Sequence, residues 1–293
     1  RTRLTESYGP STSLDLPGLV LASVGLLGIV LGVIRGNDHG WTSDTVLPPI
    51  VIGVLLVAAF IAWELRTREP MLPMHLFRSR GFTATNAASL LMFFGMFGSI
   101  FLLAQFLQVV QHYSPLQAGL RTLPWTGMPV FIAPVAGALS DRIGGRPLLA
   151  TGLALQAIGL GWLAAVASPT VGYTTMVPAF VIAGVGMSLF FAPVANVVLS
   201  SVRRDQEGIA SGANNAIREL GGVFGIAVLG AVFSAHGSYA SGTAFVSGLA
   251  PAVWVGGAAV AVASAAALFL PRMRRATTGI GEAEQAREFE AVS

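Results

Sequence analysis

The sequence predicts an all-α polytopic membrane protein with eight transmembrane helices, and three observations lead to this class. Of 293 residues, 54% are hydrophobic and 11% are charged, against roughly 25% charged in a soluble globular domain. Eight apolar runs reach the length of about 17 to 25 residues that a spanning helix needs. Arginine is concentrated in alternate connections between these runs. Spanning strands are disfavoured because the runs lack the alternation of polar and apolar residues that a barrel requires.

The eight predicted spans follow the apolar runs in chain order. They cover residues 16–34, 46–63, 82–110, 117–139, 147–167, 173–199, 209–234 and 250–270. The third run is longer than a bilayer core requires, so it should tilt or begin in the interface. The fourth carries Pro124, Pro129 and Pro134, which remove backbone donors and predict an irregular helix.

Arginine placement predicts the orientation of the spans. One set of connections and both chain ends hold Arg1, Arg3, Arg66, Arg68, Arg78, Arg80, Arg142, Arg146, Arg203, Arg204, Arg272, Arg274 and Arg275. The loops on the other side hold only Arg35, with Arg121 just inside the fourth span. By the positive-inside rule, both ends of the chain should be cytoplasmic and the number of spans even. Residues 1–15 and 66–81 are then cytoplasmic, as is a polar tail over residues 272–293.

Several function classes are disfavoured by composition. The isoelectric point near 9.9 is no sign of nucleic-acid binding, because there is no lysine and the arginines are dispersed among short loops. Cysteine is absent, so thiolate chemistry is excluded. The spans contain no histidine, cysteine or acid pair at depth and no clustered metal ligands. We therefore expect neither an enzyme nor a bound metal or cofactor.

The turn GALSDRIGGR at residues 137–146 separates the fourth and fifth spans. Its charges must lie outside lipid, which predicts a tight helix hairpin at a membrane face. Gly137 would allow two helices to approach, and Gly144 and Gly145 would allow the chain to reverse. Arg142 and Arg146 would lie among headgroups or acidic partners.

This turn, with the pattern G-x-L-x-D-R-x-G-x-R, resembles the loop motif of the major facilitator superfamily of secondary transporters. Three further segments resemble its fourteen-helix drug:proton antiporter branch, the EmrB and QacA type. They are PMLPMHLFRSRGF at 70–82, LQVVQHYSPLQAGLRTLP at 107–124 and GIASGANNAIRELGGVFGIAV at 208–228. The resemblance implies that residues 16–65 form two linker helices and residues 82–271 the C-terminal six-helix half. The N-terminal six-helix half is then expected to be missing from this sequence.

The resemblance implies alternating-access efflux of drugs or other hydrophobic or amphipathic small molecules, coupled to protons, in the plasma membrane. Its partners would be the small-molecule substrate, protons, the lipid bilayer and the missing half, with no nucleic acid. The alternative is a transport-inactive half-transporter with a structural or partner-binding role. Coding sequence for six further spans before residue 1 would decide between them.

Proton coupling requires a buried group that gains and loses charge, and the sequence offers no clear one. Acids such as Glu64 and Glu69 fall at span ends, where water or headgroups should reach them. Glu219 alone lies well inside a span, beside Arg218, and an adjacent ion pair near the interface is the simplest interpretation. The proton-carrying acids are therefore expected in the missing half.

One face of the third span is predicted to form a wall of the substrate cavity. Six residues fall within about a 120° arc at about 100° per residue, namely Asn86, Phe93, Phe97, Phe101, Gln105 and Gln108. Phe rings would give adaptable apolar contact and Gln amides would orient a drug-like molecule. The alternative is interhelical packing, with each amide bonded to a neighbouring helix.

Two conformational devices are also expected. The sixth span contains Pro178, Gly184, Gly186 and Pro193, which would let it bend during transport; the alternative is a static kink that fits packing. By family analogy, the carboxylate of Asp141 would help to latch the two halves at the cytoplasmic mouth, with a local helix cap and loop salt bridge as the alternative.

Overall fold

The computed structural model describes residues 15–67 and 70–268, without the side chains of Asp141 and Arg204. Within these ranges the chain is helical, has no strand, and contains eight helical spans long and apolar enough to cross a membrane. The predicted class of all-α polytopic membrane protein is confirmed. Predictions for residues 1–14 and 269–293 lie outside the described residues.

Nine α-helices make up the eight spans. They are α1 (Leu16–His39), α2 (Leu47–Glu64), α3 (Arg80–Gln105), α4 (Pro115–Thr126), α5 (Met128–Ile143), α6 (Gly145–Val166), α7 (Tyr173–Ser200), α8 (Glu207–His236) and α9 (Gly242–Ala267). A π-helical turn, Phe106–Val110, extends α3, and 3-10 turns cover Met74–Arg78 and Arg204–Gln206. The connections between helices are short, so neighbouring spans run antiparallel.

The fourth span is divided into two helices, as its prolines predict. α4 ends at Thr126 and α5 begins at Met128, with Gly127 between them. Pro129 lies in the first turn of α5, where its missing N–H leaves no extra unsatisfied group. Proline therefore starts the second helix after the break instead of kinking one continuous helix.

The last span begins at Gly242, earlier than the predicted start at residue 250. The Ser241 hydroxyl caps the helix by accepting a hydrogen bond from the Ala244 N–H at 3.1 Å. The Ser247 hydroxyl bonds to the carbonyl of Ala244 within the helix, at 2.9 Å. These serine hydroxyls thus form helix-capping and intrahelical hydrogen bonds, so the segment that follows Ser241 can be helical.

The six helical spans from α3 to α9 pack into one bundle. α3 lies against α8 and α9, α6 lies between α7 and α9, and α5 lies against α7. Small residues bring these backbones close, because a methyl group added at Gly98 would lie 2.6 Å from the carbonyl oxygen of Gly225. Glycine at such crossings is typical of helix packing in lipid, where van der Waals contact drives association.

α1 and α2 form a hairpin of their own beside this bundle. A methyl group at Gly53 would lie 2.6 Å from the Gly25 carbonyl oxygen, so the two helices are in close contact. The hairpin reaches the bundle through α1 and α8, where the Asn37 amide donates to the carbonyl of Ala231.

The segment between α2 and α3 packs under the ends of α7 and α8. Leu76 and Phe82 are buried in a small cluster with Val198 and Ala210. The His75 and Gln206 side chains are hydrogen bonded at 2.7 Å. The arginine-bearing connections on this side of the bundle are thereby held together, and we call this end of the bundle the arginine end.

Candidate substrate cavity and cytoplasmic turn

The predicted cavity face of α3 divides into a buried half and an open half. Nearest the arginine end, Asn86 is 2% exposed and faces α8. The Asn214 amide donates to the Asn86 side-chain oxygen at 2.9 Å and to the Ser89 hydroxyl at 3.2 Å. The Asn86 amide donates to the Phe82 carbonyl at 2.9 Å. This buried network joins α3 to α8, which matches the packing alternative for Asn86.

Phe93 is also buried, at 3% exposed, under an arginine from α8. The guanidinium carbon of Arg218 lies 4.4 Å from the Phe93 ring centroid and 5.0 Å from that of Phe191. The two rings meet edge to face, with centroids 5.6 Å apart and planes at 79°. Phe93 of α3 and Phe191 of α7 thus form an aromatic contact site for one cation.

Arg218 and Glu219, predicted to form an ion pair, do not reach salt-bridge distance in the described residues, although the Glu219 carboxylate still acts electrostatically on the guanidinium. Glu219 is exposed, whereas Arg218 is half-buried, and no ion pair joins them. Consecutive residues on a helix point about 100° apart and do not face each other. Arg218 therefore belongs to the bundle interior, and sequence reasoning missed it as a site residue. The sequence did contain one signal for this role, namely the position of Arg218 well away from both ends of its predicted span.

A cleft of about 190 Å³ opens between α7 and α8 beside this arginine. Its walls include Val194 and Val198 from α7, and Ser211, Asn214, Asn215 and Arg218 from α8. One wall is thus apolar and the other carries amides, a hydroxyl and a guanidinium. Such a mixture suits an amphipathic ligand.

The open half of the α3 face lies toward the other membrane side. Phe97 and Phe101 are 37% and 42% exposed, and Phe97 stacks on Phe93 with centroids 5.5 Å apart. Gln105 accepts a hydrogen bond from the Tyr239 hydroxyl, so it is tied to the segment after α8. Gln108 is exposed and donates to the Ala104 carbonyl at 3.0 Å. These side chains remain the cavity-wall candidates.

The turn between α5 and α6 adopts the predicted hairpin. Gly144 has φ of +87°, a conformation that favours glycine. Close helix contact occurs at Gly145, where a methyl group would lie 2.6 Å from a Val197 methyl carbon. The close helix approach predicted at Gly137 is not found, because a methyl group there would meet nothing within 4 Å in the described chain. Arg146 donates to the Leu268 carbonyl at the end of α9.

The remaining charged residues of the turn are Arg142 and Asp141. Arg142 is exposed, on the same side as the other arginine-bearing connections. The Asp141 side chain lies outside the described residues, so its predicted latch is untested.

α7 runs unbroken from Tyr173 to Ser200 through Pro178 and Pro193. Its glycines lie at helix crossings. A methyl group at Gly184 would lie 2.6 Å from the Trp125 carbonyl oxygen, and one at Gly186 would lie 2.5 Å from both the Gln156 nitrogen and the Gly152 carbonyl oxygen. Both glycines thus serve packing. Bending at these positions remains a prediction.

The expectation that water or headgroups reach Glu64 is wrong in the described structure. It is 3% exposed, because the chain after α2 folds back over it and the Leu72 N–H donates to its Oε2 at 3.0 Å. Its Oε1 has no hydrogen-bond partner among the described residues. Beside it, the Trp63 indole N–H is shared by the two Asp15 oxygens at 3.0 and 3.1 Å. One buried carboxyl therefore lies at the arginine end of the linker hairpin. No group of three or more potential metal ligands occurs among the described residues.

An all-helical bundle with eight candidate spans among the described residues defines the class of multi-pass membrane proteins. The chain belongs to the major facilitator superfamily. The family model described as Major Facilitator Superfamily matches residues 4–226 and 85–291.

Curated relatives carry names from drug and antibiotic export. The chain is 32% identical over 221 residues to "Multidrug resistance protein Stp" of Mycobacterium tuberculosis, covering 75% of this chain and 41% of that protein. It is 32% identical over 225 residues to "Tetracenomycin C resistance and export protein" of Streptomyces glaucescens, covering 76% and 41%. It is 34% identical over 218 residues to "Cephamycin export protein CmcT" of Amycolatopsis lactamdurans, covering 74% and 45%. The matched region is thus less than half the length of each of these relatives.

Proposed function

We propose that this chain is part of a transporter that exports drugs or other amphipathic small molecules from the cell. The observation that carries the proposal is its similarity, at 32 to 34% identity over about three quarters of the chain, to proteins named for multidrug or antibiotic export. The remaining part of the carrier would be an N-terminal half of six helices elsewhere in the gene product, a proposal that the two-linker and six-helix organisation of this chain supports.

The carrier lies in the plasma membrane with both ends of this chain cytoplasmic. Support comes from the arginine-bearing connections, which the bundle gathers at one end. His75 and Gln206 bridge two of these connections directly, and a topology with the opposite orientation would place all of them on the external side, against the positive-inside rule.

The substrate cavity is lined by the open part of the α3 face. Phe97, Phe101 and Gln108 are exposed in the described chain, and Gln105 borders them through its bond to Tyr239. Stacked and exposed aromatic rings offer an apolar surface that tolerates ligands of different shape, and amides add a few directional contacts. Phe93 lies at the buried end of this face, where its ring contacts both Phe97 and the Arg218 guanidinium.

Transport proceeds by alternating access, in which the two halves rock around the cavity. α7 supplies the flexible element, because Pro178 and Pro193 each remove one backbone hydrogen bond from a helix that packs along α6. The turn at residues 137–146 forms part of the cytoplasmic gate, with Asp141 as the latch and Arg142 and Arg146 as flanking cations.

Protons drive the export, and the carboxylates that bind and release these protons belong to the half outside this chain. The test is export of ethidium by everted membrane vesicles containing the full-length gene product. We expect ethidium uptake into the vesicles when a proton gradient is present, and its loss when nigericin collapses the pH gradient. Uptake that never exceeds that of vesicles without the protein would refute the export function. Uptake that persists without any ion gradient would refute proton coupling alone.

A further inference from the structure

Arg218 lies near the middle of its helix. α8 spans 30 residues, or about 45 Å at about 1.5 Å per residue, whereas the hydrocarbon core is about 30 Å thick. By the same rise, Arg218 lies about 16 Å from the helix start and about 6 Å from its midpoint. An arginine at this depth normally faces a partner or a water-filled space, because a charge in hydrocarbon is costly.

The described chain gives this cation aromatic contact but no salt bridge. One face of the guanidinium is covered by Phe93, and Phe191 lies at 5.0 Å. Its Nε is buried and has no hydrogen-bond partner, and the neighbouring Glu219 is exposed and unpaired with it. A guanidinium held beside aromatic rings can still use its terminal N–H groups to bind an acceptor. Glu219 acts on this charge only through longer-range electrostatics, and no described acid lies within salt-bridge distance of the guanidinium.

The space beside the guanidinium is polar and large enough for a ligand group. The cleft of about 190 Å³ far exceeds the roughly 10 to 15 Å³ that one water molecule requires. Ser211 and Asn215 line it and are exposed, and neither side chain is hydrogen bonded within the described chain. Asn214, by contrast, is held by Asn86 and Ser89. Two free donors thus border the same space as the unpaired cation.

We propose that Arg218, with Ser211 and Asn215, binds an oxyanion in the cleft between α7 and α8. The oxyanion is a carboxylate of a transported amphipathic molecule or the phosphate of a phospholipid headgroup that carries a net negative charge. The apolar wall of Val194 and Val198 accepts the adjoining hydrocarbon part of either molecule. The inference rests on the proposed export function for its first source, and it would extend the substrate class to amphipathic anions.

The test compares a carboxylate with its neutral ester. Full-length protein in phosphatidylcholine nanodiscs is titrated with dansylglycine and with dansylglycine methyl ester, and binding is followed by dansyl fluorescence. We expect the unaltered protein to bind dansylglycine about tenfold more tightly than the ester, as a charge-assisted hydrogen bond allows. Arg218→Gln should remove this preference while leaving ester binding within about twofold, and Arg218→Lys should restore part of it.

The matched control is Arg203→Gln. Arg203 is 80% exposed and paired with Asp205 at 3.1 Å, so this variant removes the same charge from the surface of the same protein. It should leave both affinities unchanged. Equal loss of carboxylate binding in both arginine variants would show that net charge, and no site at Arg218, selects the anion.

Phosphatidylglycerol in the nanodiscs distinguishes the two sources. If a headgroup occupies the cleft, this anionic lipid should weaken dansylglycine binding severalfold in the unaltered protein and leave Arg218→Gln unaffected. If a transported molecule supplies the oxyanion, the lipid should have no effect, and everted vesicles should accumulate dansylglycine only when Arg218 is present.

Three outcomes would overturn the oxyanion site. The unaltered protein could bind the acid and the ester equally, which is the result expected if an acidic side chain elsewhere in the transporter neutralises Arg218. Arg218→Gln could retain the preference for the acid. If Arg218→Gln fails to bind the ester as well, Asn215→Leu decides, and an unchanged acid-to-ester ratio in that variant refutes the site. Failure of the unaltered protein to bind either probe would count against the drug-binding function as well.

Discussion

The guanidinium carbon of Arg218 on α8 lies 4.4 Å from the ring centroid of Phe93 on α3. This contact places a charge at the junction of two features that the sequence keeps apart, the aromatic face of α3 and the polar stripe of α8. Four residues before Arg218, Asn214 bonds to Asn86 on the same pair of helices. Helices α3 and α8 are thus joined by polar and aromatic contacts at successive turns.

Removing the buried amide pair should loosen this junction. Asn86→Leu leaves Asn214 with only the Ser89 hydroxyl at 3.2 Å. Hydrogen bonds between helices in lipid average about 0.6 kcal/mol and reach about 1.7 kcal/mol, and we expect a loss near the upper value because the amide stays buried. The melting temperature of the purified protein in detergent should fall. Asn196→Leu, at an exposed position of α7, is the control and should change it little. An equal fall in both variants would argue against a specific α3–α8 network.

Glycine at the α6–α7 crossing is expected to be required for packing. Gly186→Ala would place a methyl group 2.5 Å from the Gln156 nitrogen and the Gly152 carbonyl oxygen, so the helices must separate and stability must fall by about 1 to 3 kcal/mol. Gly212→Ala is the matched control on α8, where a methyl group meets nothing within 4 Å, and it should be neutral or slightly stabilising. Thermal denaturation in detergent measures both. A Gly186→Ala protein as stable as the original would mean that the crossing is looser than described.

The bundle itself was largely predictable from sequence because hydrocarbon leaves few options. Length and apolarity identified all eight spans, and the prolines of the fourth predicted the break found at Gly127. The start of α9 was misplaced because Ser241 and Ser247 form helical hydrogen bonds, which composition cannot show.

The candidate site was less predictable because helical periodicity gives a face but no neighbour. Asn86 and Phe93 share an arc with Phe97 and Phe101, yet the first two are buried and the last two are exposed. Glu64 stands at a helix end, but the segment that follows folds over it, as the Leu72 N–H bond shows. Both outcomes depend on which element packs there, and this information is tertiary.

Proline in α7 should affect movement more than folding if the helix bends during transport. Pro193→Ala restores one backbone donor and should stiffen the helix. We expect ethidium uptake by everted vesicles to slow severalfold while its equilibrium affinity stays within about twofold. Pro251→Ala on α9 tests proline removal from another span and should leave the rate unchanged. A lower affinity with an unchanged maximal rate would instead indicate that Pro193 shapes a static cavity.

The latch proposed at Asp141, in the turn between α5 and α6, should likewise affect the transport rate and leave substrate affinity unchanged. Asp141 lies in the last turn of α5, where the helix dipole does not stabilise an anion, so the proposed latch acts through a group across the gate, and Asp141→Asn should shift the balance of two close-lying conformers. Efflux should decrease while substrate affinity remains. Asp205→Asn, on an exposed carboxylate paired with Arg203, is the control. Unchanged uptake at equal protein level would refute the latch and favour a local loop salt bridge.

Thiol labelling in intact cells tests the central claim that this chain crosses the bilayer eight times with its arginine end in the cytoplasm. The chain has no cysteine, so each introduced thiol is its sole target once any cysteine elsewhere in the gene product is replaced by serine. Ile143→Cys follows Arg142 in the turn, and Ala240→Cys lies between α8 and α9; both positions are exposed. A membrane-impermeant maleimide should label Ala240→Cys in intact cells and Ile143→Cys only after the membrane is opened. Labelling of Ile143→Cys from outside would contradict the topology and, with it, the assignment of the turn to a cytoplasmic gate.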